Sequence, residues 1–291
     1  MMKFNKIFIE VTNTCGLSCS FCTPQKLPKN IIDTENFSTI CQKITSHTHL
    51  CALHILGDPL TLDNLLDYLN IATAHNIKLD ITTSGFYLNP TNITLLLKHP
   101  SIHQINISLT SVLYQKNYQN LEQYLENVFL LCSKHQILKS QKFINLRLWN
   151  LDKNFNPPSI NQPIYQLLTQ YFNTPLKIPK TRLSYKIHLI QQPFFEWPNI
   201  DSTNSYTQGF CYGGSKQLGI LNNGDIVPCC FDTKGEIKLG NIFKQSLEEI
   251  YNTQRYKMLL KNFQKGVLAE ELCKHCSYPL YLSNARNVES L

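Results

Sequence analysis

Six short runs dominated by Ile and Leu punctuate the first 190 residues: Lys6–Thr12, Leu50–Leu56, Ile77–Thr83, Ile102–Leu109, Phe143–Trp149 and Ser184–Ile190. Runs that are apolar almost throughout suit strands covered on both faces, as in parallel sheets. Helical patterns separate them. The clearest places Leu62, Leu65, Leu66, Leu69 and Ala72 on one face, with Thr61 as the expected N-cap. Another runs through Leu121, Leu125, Val128 and Cys132. Six strand–helix units in series imply a parallel sheet curled into an open or partial barrel. With 291 residues, 43% of them hydrophobic, the chain can bury one full core and a small second unit.

The pattern changes after Pro198. Residues 199–209 are polar and read as a linker. Lys216–Leu221, the turn Asn222-Asn223-Gly224-Asp225 and Ile226–Cys230 read as a β-hairpin. Ser246 and Glu249 form a capping box that opens a helix carrying Leu247, Ile250 and Tyr251. The expected class is therefore α/β, with a partial (β/α)6 barrel over 1–198 and a small hairpin-and-helix unit over 199–291.

Charge narrows the partners. The net charge of +7 is mild, and Lys and Arg are scattered rather than gathered into a basic stripe, so no dedicated nucleic-acid binding is expected. The opening MMKFNKIFIE shows no signal-peptide pattern and no run of about 18 apolar residues suggests a membrane span. Eleven cysteines without an export signal point to a cytoplasmic setting, where thiols bind metals or stay free. Cys41, Cys51 and Cys132 lie on apolar segments and read as buried core thiols. His47, His49, His103 and His188 lack ligand-like spacing.

Cys15, Cys19 and Cys22 follow the first strand directly. In a parallel sheet the loop beyond a strand's carboxyl end is where ligands bind. Three thiolates can hold three irons of a cubane cluster and leave the fourth iron open for a further ligand. A zinc knuckle or free thiols are the alternatives from these residues alone.

The pattern C-x3-C-x-Phe-C, with Phe21 before the last cysteine, resembles the signature of radical S-adenosylmethionine enzymes. The resemblance implies a four-iron cluster and S-adenosylmethionine as cofactors. It also implies cofactor contacts from Phe21 and from Leu56-Gly57-Asp58-Pro59, which matches a Gly-Gly-Glu-Pro-like motif with Leu56 for the first glycine and Asp58 for glutamate. Ser84, in Thr82-Thr83-Ser84-Gly85, and Ser108, at the end of the fourth strand, match two further cofactor positions. Arg147, in the apolar fifth strand, could pair the cofactor carboxylate. A structural ion pair or a snorkelling arginine is its plainer reading.

A second cysteine set comprises Cys211, Cys229, Cys273 and Cys276, with Gly224 at the hairpin turn and Lys238–Ile242 between the pairs. It resembles the SPASM/twitch extension of the same enzymes, which implies one auxiliary four-iron cluster, since no cysteine follows Cys276. A four-cysteine zinc site is the alternative. Cys230 is expected not to be a ligand, because neighbouring strand residues point apart. Phe194–Pro198 either lines a substrate pocket or plugs the seam between the two units.

The resemblance implies reductive cleavage of S-adenosylmethionine to a 5′-deoxyadenosyl radical, which abstracts hydrogen from a small-molecule or peptide substrate. A flavodoxin- or ferredoxin-type protein would supply electrons. The branches are oxidation, with the auxiliary cluster as acceptor, or rearrangement or bond formation on a peptide or nucleotide. A non-catalytic iron–sulfur or zinc protein is the reading from another class.

Overall fold

The Ile- and Leu-rich runs become the strands of one mixed sheet. The computed structural model describes residues 2–22, 28–115, 120–279 and 282. Its strands are β1 Lys6–Ile9, β2 Leu50–Leu53, β3 Lys78–Thr83, β4 Ile102–Ser108, β5 Phe143–Leu151, β6 Lys180–Ser184, β7 Ile187–Pro193, β8 Gln217–Ile220, β9 Asp225–Val227 and β10 Gly240–Asn241. Its α-helices are α1 Thr34–Ile44, α2 Leu65–Ala74, α3 Pro90–Lys98, α4 Thr110–Leu113, α5 Leu121–Ile137, α6 Gln162–Phe172, α7 Leu247–Asn252, α8 Gln254–Gln264 and α9 Glu271–Lys274. No helix among the described residues is long and apolar enough to cross a membrane.

The strand order is β10-β9-β8-β1-β2-β3-β4-β5-β7-β6. All neighbours from β8 to β7 are parallel, while β6, β9 and β10 pair antiparallel. No pairing joins β10 to β6 among the described residues, so the sheet is open. It is also curled. Arg147 on β5 lies within electrostatic reach of Cys230, just beyond β9 at the far side of the sheet. An open, curled sheet of parallel strands is the partial barrel that the alternation predicts.

The two faces of the sheet differ. Ile7, Ile9, Cys51, Leu53, Leu79, Ile81, Ile105 and Ile107 point outward beneath the helices and are fully buried. Each such aliphatic side chain contributes roughly 1.5–3 kcal/mol. The inner face carries polar groups that the apolar runs conceal. Lys6 pairs with Asp80 at 2.5 Å, and Asp80 also meets His103 at 2.9 Å. Asn145 donates to Asn106 at 3.1 Å.

Two local expectations shift. The sixth run is a hairpin rather than a single strand: β6 and β7 pair antiparallel, with Lys186 at φ +54° in the turn between them. The helix expected after Thr61 starts at Leu65, because the Asp58 side chain first caps a short 3-10 turn over Pro59–Thr61. The buried face of α2 consequently holds Tyr68 with Leu65, Leu69 and Ala72, and Leu66 is exposed.

The capping box of α7 forms as expected, with the Ser246 hydroxyl accepting from the Glu249 amide at 3.2 Å. Cys41, Cys51 and Cys132 are fully buried core thiols. The β8–β9 hairpin joins the edge of β1, so the sheet runs from the core into the C-terminal segment.

Candidate active site

The Cys15–Cys22 loop leaves the carboxyl end of β1 and is held by the loops after β2, β3 and β4. Gly57, at φ +72°, lies so close to the loop that an added Cβ would fall 2.2 Å from the Thr12 carbonyl oxygen. Only glycine fits there. The Asp58 amide donates to the Thr14 carbonyl at 2.9 Å, and Tyr87 donates its hydroxyl to the Cys15 carbonyl at 2.5 Å. Tyr114, directly after α4, accepts at its carbonyl from the Ser20 amide at 3.4 Å, and its ring meets Phe21 edge-on at 5.7 Å.

Cys15 and Cys22 both lie within electrostatic reach of Cys19. Burial, and then the charges of Cys22 and Cys15, push the Cys19 thiol up to about 11. Three such neighbours on one short loop suit ligation to a cluster, which removes their protons. Cys15 and Cys19 are half-buried and Cys22 is exposed.

Asp58 is turned inward and 1% exposed. Its Oδ2 accepts from the Ser84 hydroxyl at 2.7 Å, the Ser84 amide at 2.8 Å and the Thr83 hydroxyl at 2.8 Å. Its Oδ1 accepts from the Leu60 amide at 3.0 Å. Burial raises the carboxyl above its ordinary range, and the donors from Ser84, Leu60 and Thr83 oppose that rise. The Asp58 carboxylate and the Ser84 hydroxyl thus engage each other. Backbone groups around Gly57 remain at the loop surface.

Ser108 and Arg147 are register partners on β4 and β5. Ser111 donates to the Ser108 hydroxyl at 3.0 Å and also reaches the Cys19 sulfur. Arg147 lies over the Trp149 ring at 5.2 Å, and burial lowers its guanidinium to about 10. No ion pair or hydrogen bond occupies Arg147 among the described residues.

Two inner-face residues escaped the sequence reading. His54, 6.3 Å from the Phe8 ring, is lowered by burial, and then by Arg147 and Lys6, to about 4, so its ring is neutral. Glu10 is 2% exposed and pushed up to about 7 by burial. Its Oε2 accepts from the Asn222 amide at 3.1 Å, while its Oε1 has no hydrogen-bond partner among the described residues. Both lie at the ends of apolar runs, and their polarity within those runs is the signal that could have found them.

The C-terminal cysteines gather around a cavity lined by Cys211, Cys229, Cys273 and Cys276 together with Phe231, Ile237, Leu268, Leu272 and Tyr278. Gly224, at φ +83°, turns the hairpin where an added Cβ would strike the Phe243 ring. Residues 204–209 bond to the returning chain, through the Tyr206 amide to the Lys274 carbonyl at 2.7 Å and the Gly209 amide to the Gly266 carbonyl at 2.8 Å. That crossing brings Cys211 to Cys273. Burial raises the Cys229 thiol, as do Cys230, Cys211, Cys276 and Cys273 around it. Four soft donors around an apolar cavity fit an iron–sulfur cluster.

Cys230 faces the other way. It packs with Ile55, Leu221 and Val227 inside the partial barrel. Between the two spaces stands Phe231, 4.3 Å from the Phe195 ring, 5.1 Å from Tyr278 and 5.8 Å from Trp197. The segment Phe194–Pro198 thus contributes to an aromatic plug.

Residues 211–277 match the SPASM family, an iron-sulfur cluster-binding domain. No curated protein matches the chain. Among solved structures, BtrN in complex with AdoMet and 2-DOIA aligns with a TM-score of 0.52 and 17% identity, covering 95% of this chain and 94% of that one. Streptococcus suis SuiB bound to precursor peptide SuiA aligns at 0.60 and 15%, covering 95% and 71%. Native anSMEcpe with bound AdoMet and Kp18Cys peptide aligns at 0.54 and 14%, covering 93% and 88%. At these identities the likeness is one of fold. Residues 211–277 thus match an iron–sulfur cluster-binding domain, and the chain as a whole shares the fold of these AdoMet- and peptide-bound structures.

Proposed function

We propose that this protein is a radical S-adenosylmethionine enzyme that abstracts hydrogen from a peptide or small-molecule substrate and carries out a net oxidation. One observation supports the reading: the cysteines fall into two separate groups, one on the loop at the mouth of the sheet and one around an apolar cavity. When bound, the clusters would supply the electron that cleaves S-adenosylmethionine to a 5′-deoxyadenosyl radical and an acceptor for the electron a substrate radical loses.

The protein's own residues bind, orient and shield. Cys15, Cys19 and Cys22 would hold the first cluster, and Cys211, Cys229, Cys273 and Cys276 the auxiliary one. Backbone groups around Gly57 would take the methionine amino group, with Asp58 and Ser84 fixing that loop. Ser108 and the unpaired Arg147 would meet the methionine carboxylate. Phe21, packed on Tyr114, would help to shape the cofactor's seat. The neutral His54 ring offers a proton acceptor inside the partial barrel. Phe231 and its aromatic neighbours would keep substrate and water off the auxiliary site. Residues 1–198 would form the reaction unit and 199–291 the auxiliary unit, with a flavodoxin- or ferredoxin-type donor in a reducing cytoplasm.

The substrate class draws support from the relatives, two of which hold peptides and one a small molecule, 2-DOIA. The test is release of 5′-deoxyadenosine by anaerobically reconstituted, reduced protein given S-adenosylmethionine. The Cys15/Cys19/Cys22→Ala triple variant should release none. Cleavage retained in that variant would refute the reading.

A further inference from the structure

We propose that the Gln115 carboxamide raises the reduction potential of the cluster at Cys15, Cys19 and Cys22 by donating an N–H hydrogen bond to the Cys19 sulfur. This rests on the reading of that site given above. Gln115 follows α4, 96 residues from Cys19, yet its Nε2 lies 2.7 Å from the Cys19 Sγ. Its Oε1 accepts from the Ser18 amide at 3.2 Å. The two contacts assign the carboxamide's orientation, with oxygen facing an N–H and nitrogen facing sulfur.

Gln115 is the steady donor at this sulfur. The neighbouring Ser111 hydroxyl also reaches this sulfur, and its single proton is shared between Cys19 and the Ser108 hydroxyl at 3.0 Å. The carboxamide has two N–H groups, no acidity near neutral pH and, among the described residues, no competing partner for the one aimed at sulfur.

The direction of the effect follows from charge. A cluster that accepts one electron gains one negative charge, part of which resides on its ligating sulfurs. An N–H dipole pointing at Cys19 stabilises that added charge, so the hydrogen bond is stronger in the reduced state. The proton stays on Nε2 and no covalent bond changes; the electron comes from the external donor. Hydrogen bonds to cluster sulfurs and partners of metal ligands are known to set potential in this way.

The loop does not depend on Gln115 for its seat. The Tyr114 carbonyl, the Tyr114 ring, Tyr87 and the Asp58 amide each hold it separately. Replacing the carboxamide should therefore leave the thiols in place.

The experiment is a redox titration of the full, reconstituted chain, followed by electron paramagnetic resonance through the iron signal that changes when S-adenosylmethionine is added. Gln115→Glu keeps an oxygen for the Ser18 amide and loses the N–H. Gln115→Met loses both contacts. At the potential where the unaltered protein is half reduced, both variants should show a reduced-to-oxidised ratio about tenfold lower, about 59 mV for a one-electron couple. Iron content should be unchanged. Unshifted titrations in both variants would overturn the proposal. So would loss of the first cluster in both, which would make Gln115 a fastener of the loop. An unaltered protein with no iron signal responsive to S-adenosylmethionine would overturn the functional reading itself, and the proposal with it.

Discussion

The Asp58 carboxylate accepts the Ser84 hydroxyl at 2.7 Å and the Ser84 amide at 2.8 Å through the same oxygen. The loop after β2 is thereby tied to the end of β3, and Ser84 is tied in turn to α5 by the Tyr124 hydroxyl at 2.7 Å. A shortened acidic side chain suits this arrangement because it reaches inward to the neighbouring strand rather than outward over the cysteine loop.

Removing that carboxylate should loosen both loops. Asp58→Ala leaves the Ser84 amide, the Ser84 and Thr83 hydroxyls and the Leu60 amide without their acceptor. Stranded buried donors cost about 1–3 kcal/mol each where water cannot replace the partner. The thermal midpoint should fall by several degrees, and S-adenosylmethionine binding should weaken about tenfold through the displaced Gly57 loop. Iron content should persist. Calorimetry for stability and equilibrium dialysis for the cofactor would check both, and an unchanged midpoint would refute the fastening role.

Glu10 and His54 predict opposed pH effects. The Glu10 carboxyl is pushed from 4.5 up to about 7, so the folded chain holds its proton more tightly than the unfolded chain. Its contribution is complete below about 4.5 and is lost as pH rises through 7. The His54 ring is lowered from 6.5 to about 4, so its contribution is complete above 6.5 and is lost as pH falls through 4. The two partly cancel between these limits. Glu10→Gln, which mimics the protonated acid, should match the unaltered protein at pH 4.5 and exceed it in stability at pH 8, by on the order of 3 kcal/mol. Chemical unfolding at the two pH values measures this, and equal differences at both would exclude a raised Glu10.

Much of this was legible in the sequence, and the parts that were not share a cause. The apolar runs identified the parallel strands because the face beneath the helices selects Ile and Leu, while the polar groups of the inner face are too few to break the runs. The first cysteine set was legible as a group because Cys15, Cys19 and Cys22 share one loop, whereas the second was legible only through its resemblance to a known cysteine pattern, since Cys211, Cys229, Cys273 and Cys276 are spread over the C-terminal segment. Pairings between distant segments left no such trace. The contact of β8 with β1, the grip of Gln115 on Cys19 and the meeting of Lys6 with Asp80 each join residues far apart in the chain. Local periodicity cannot encode them. The turn at Tyr185-Lys186 was missed because Lys186 takes a positive φ usually left to glycine or asparagine.

Adjacent cysteines should separate cleanly in iron content. Cys229 lines the cavity with Cys211, Cys273 and Cys276, whereas Cys230 packs against Ile55 and Val227. Cys229→Ala should reduce reconstituted iron from about eight atoms to about four. Cys230→Ala should leave about eight, with a modest loss of packing. Iron and sulfide assays decide the matter, and the reverse outcome would exchange the two assignments.

The auxiliary site should be closed to outside ligands. Four cysteines surround the cavity, and Phe231 with Phe195, Trp197 and Tyr278 separates it from the interior of the partial barrel. A four-iron cluster with a thiolate at every corner would have no iron free for substrate. The Cys15/Cys19/Cys22→Ala variant isolates that cluster in the full chain. Pulsed electron paramagnetic resonance with carbon-13 cyanide should then show no carbon coupled to iron. The unaltered protein should show such coupling through the open iron of its first cluster, lost when S-adenosylmethionine is added. Phe231→Ala, by contrast, should leave the four thiolates in place while admitting water and oxygen, so its auxiliary cluster should bleach faster in air. Cyanide bound in the triple variant would mean that one of the four cysteines leaves its iron open, and the auxiliary site would then be a place where substrate can bind.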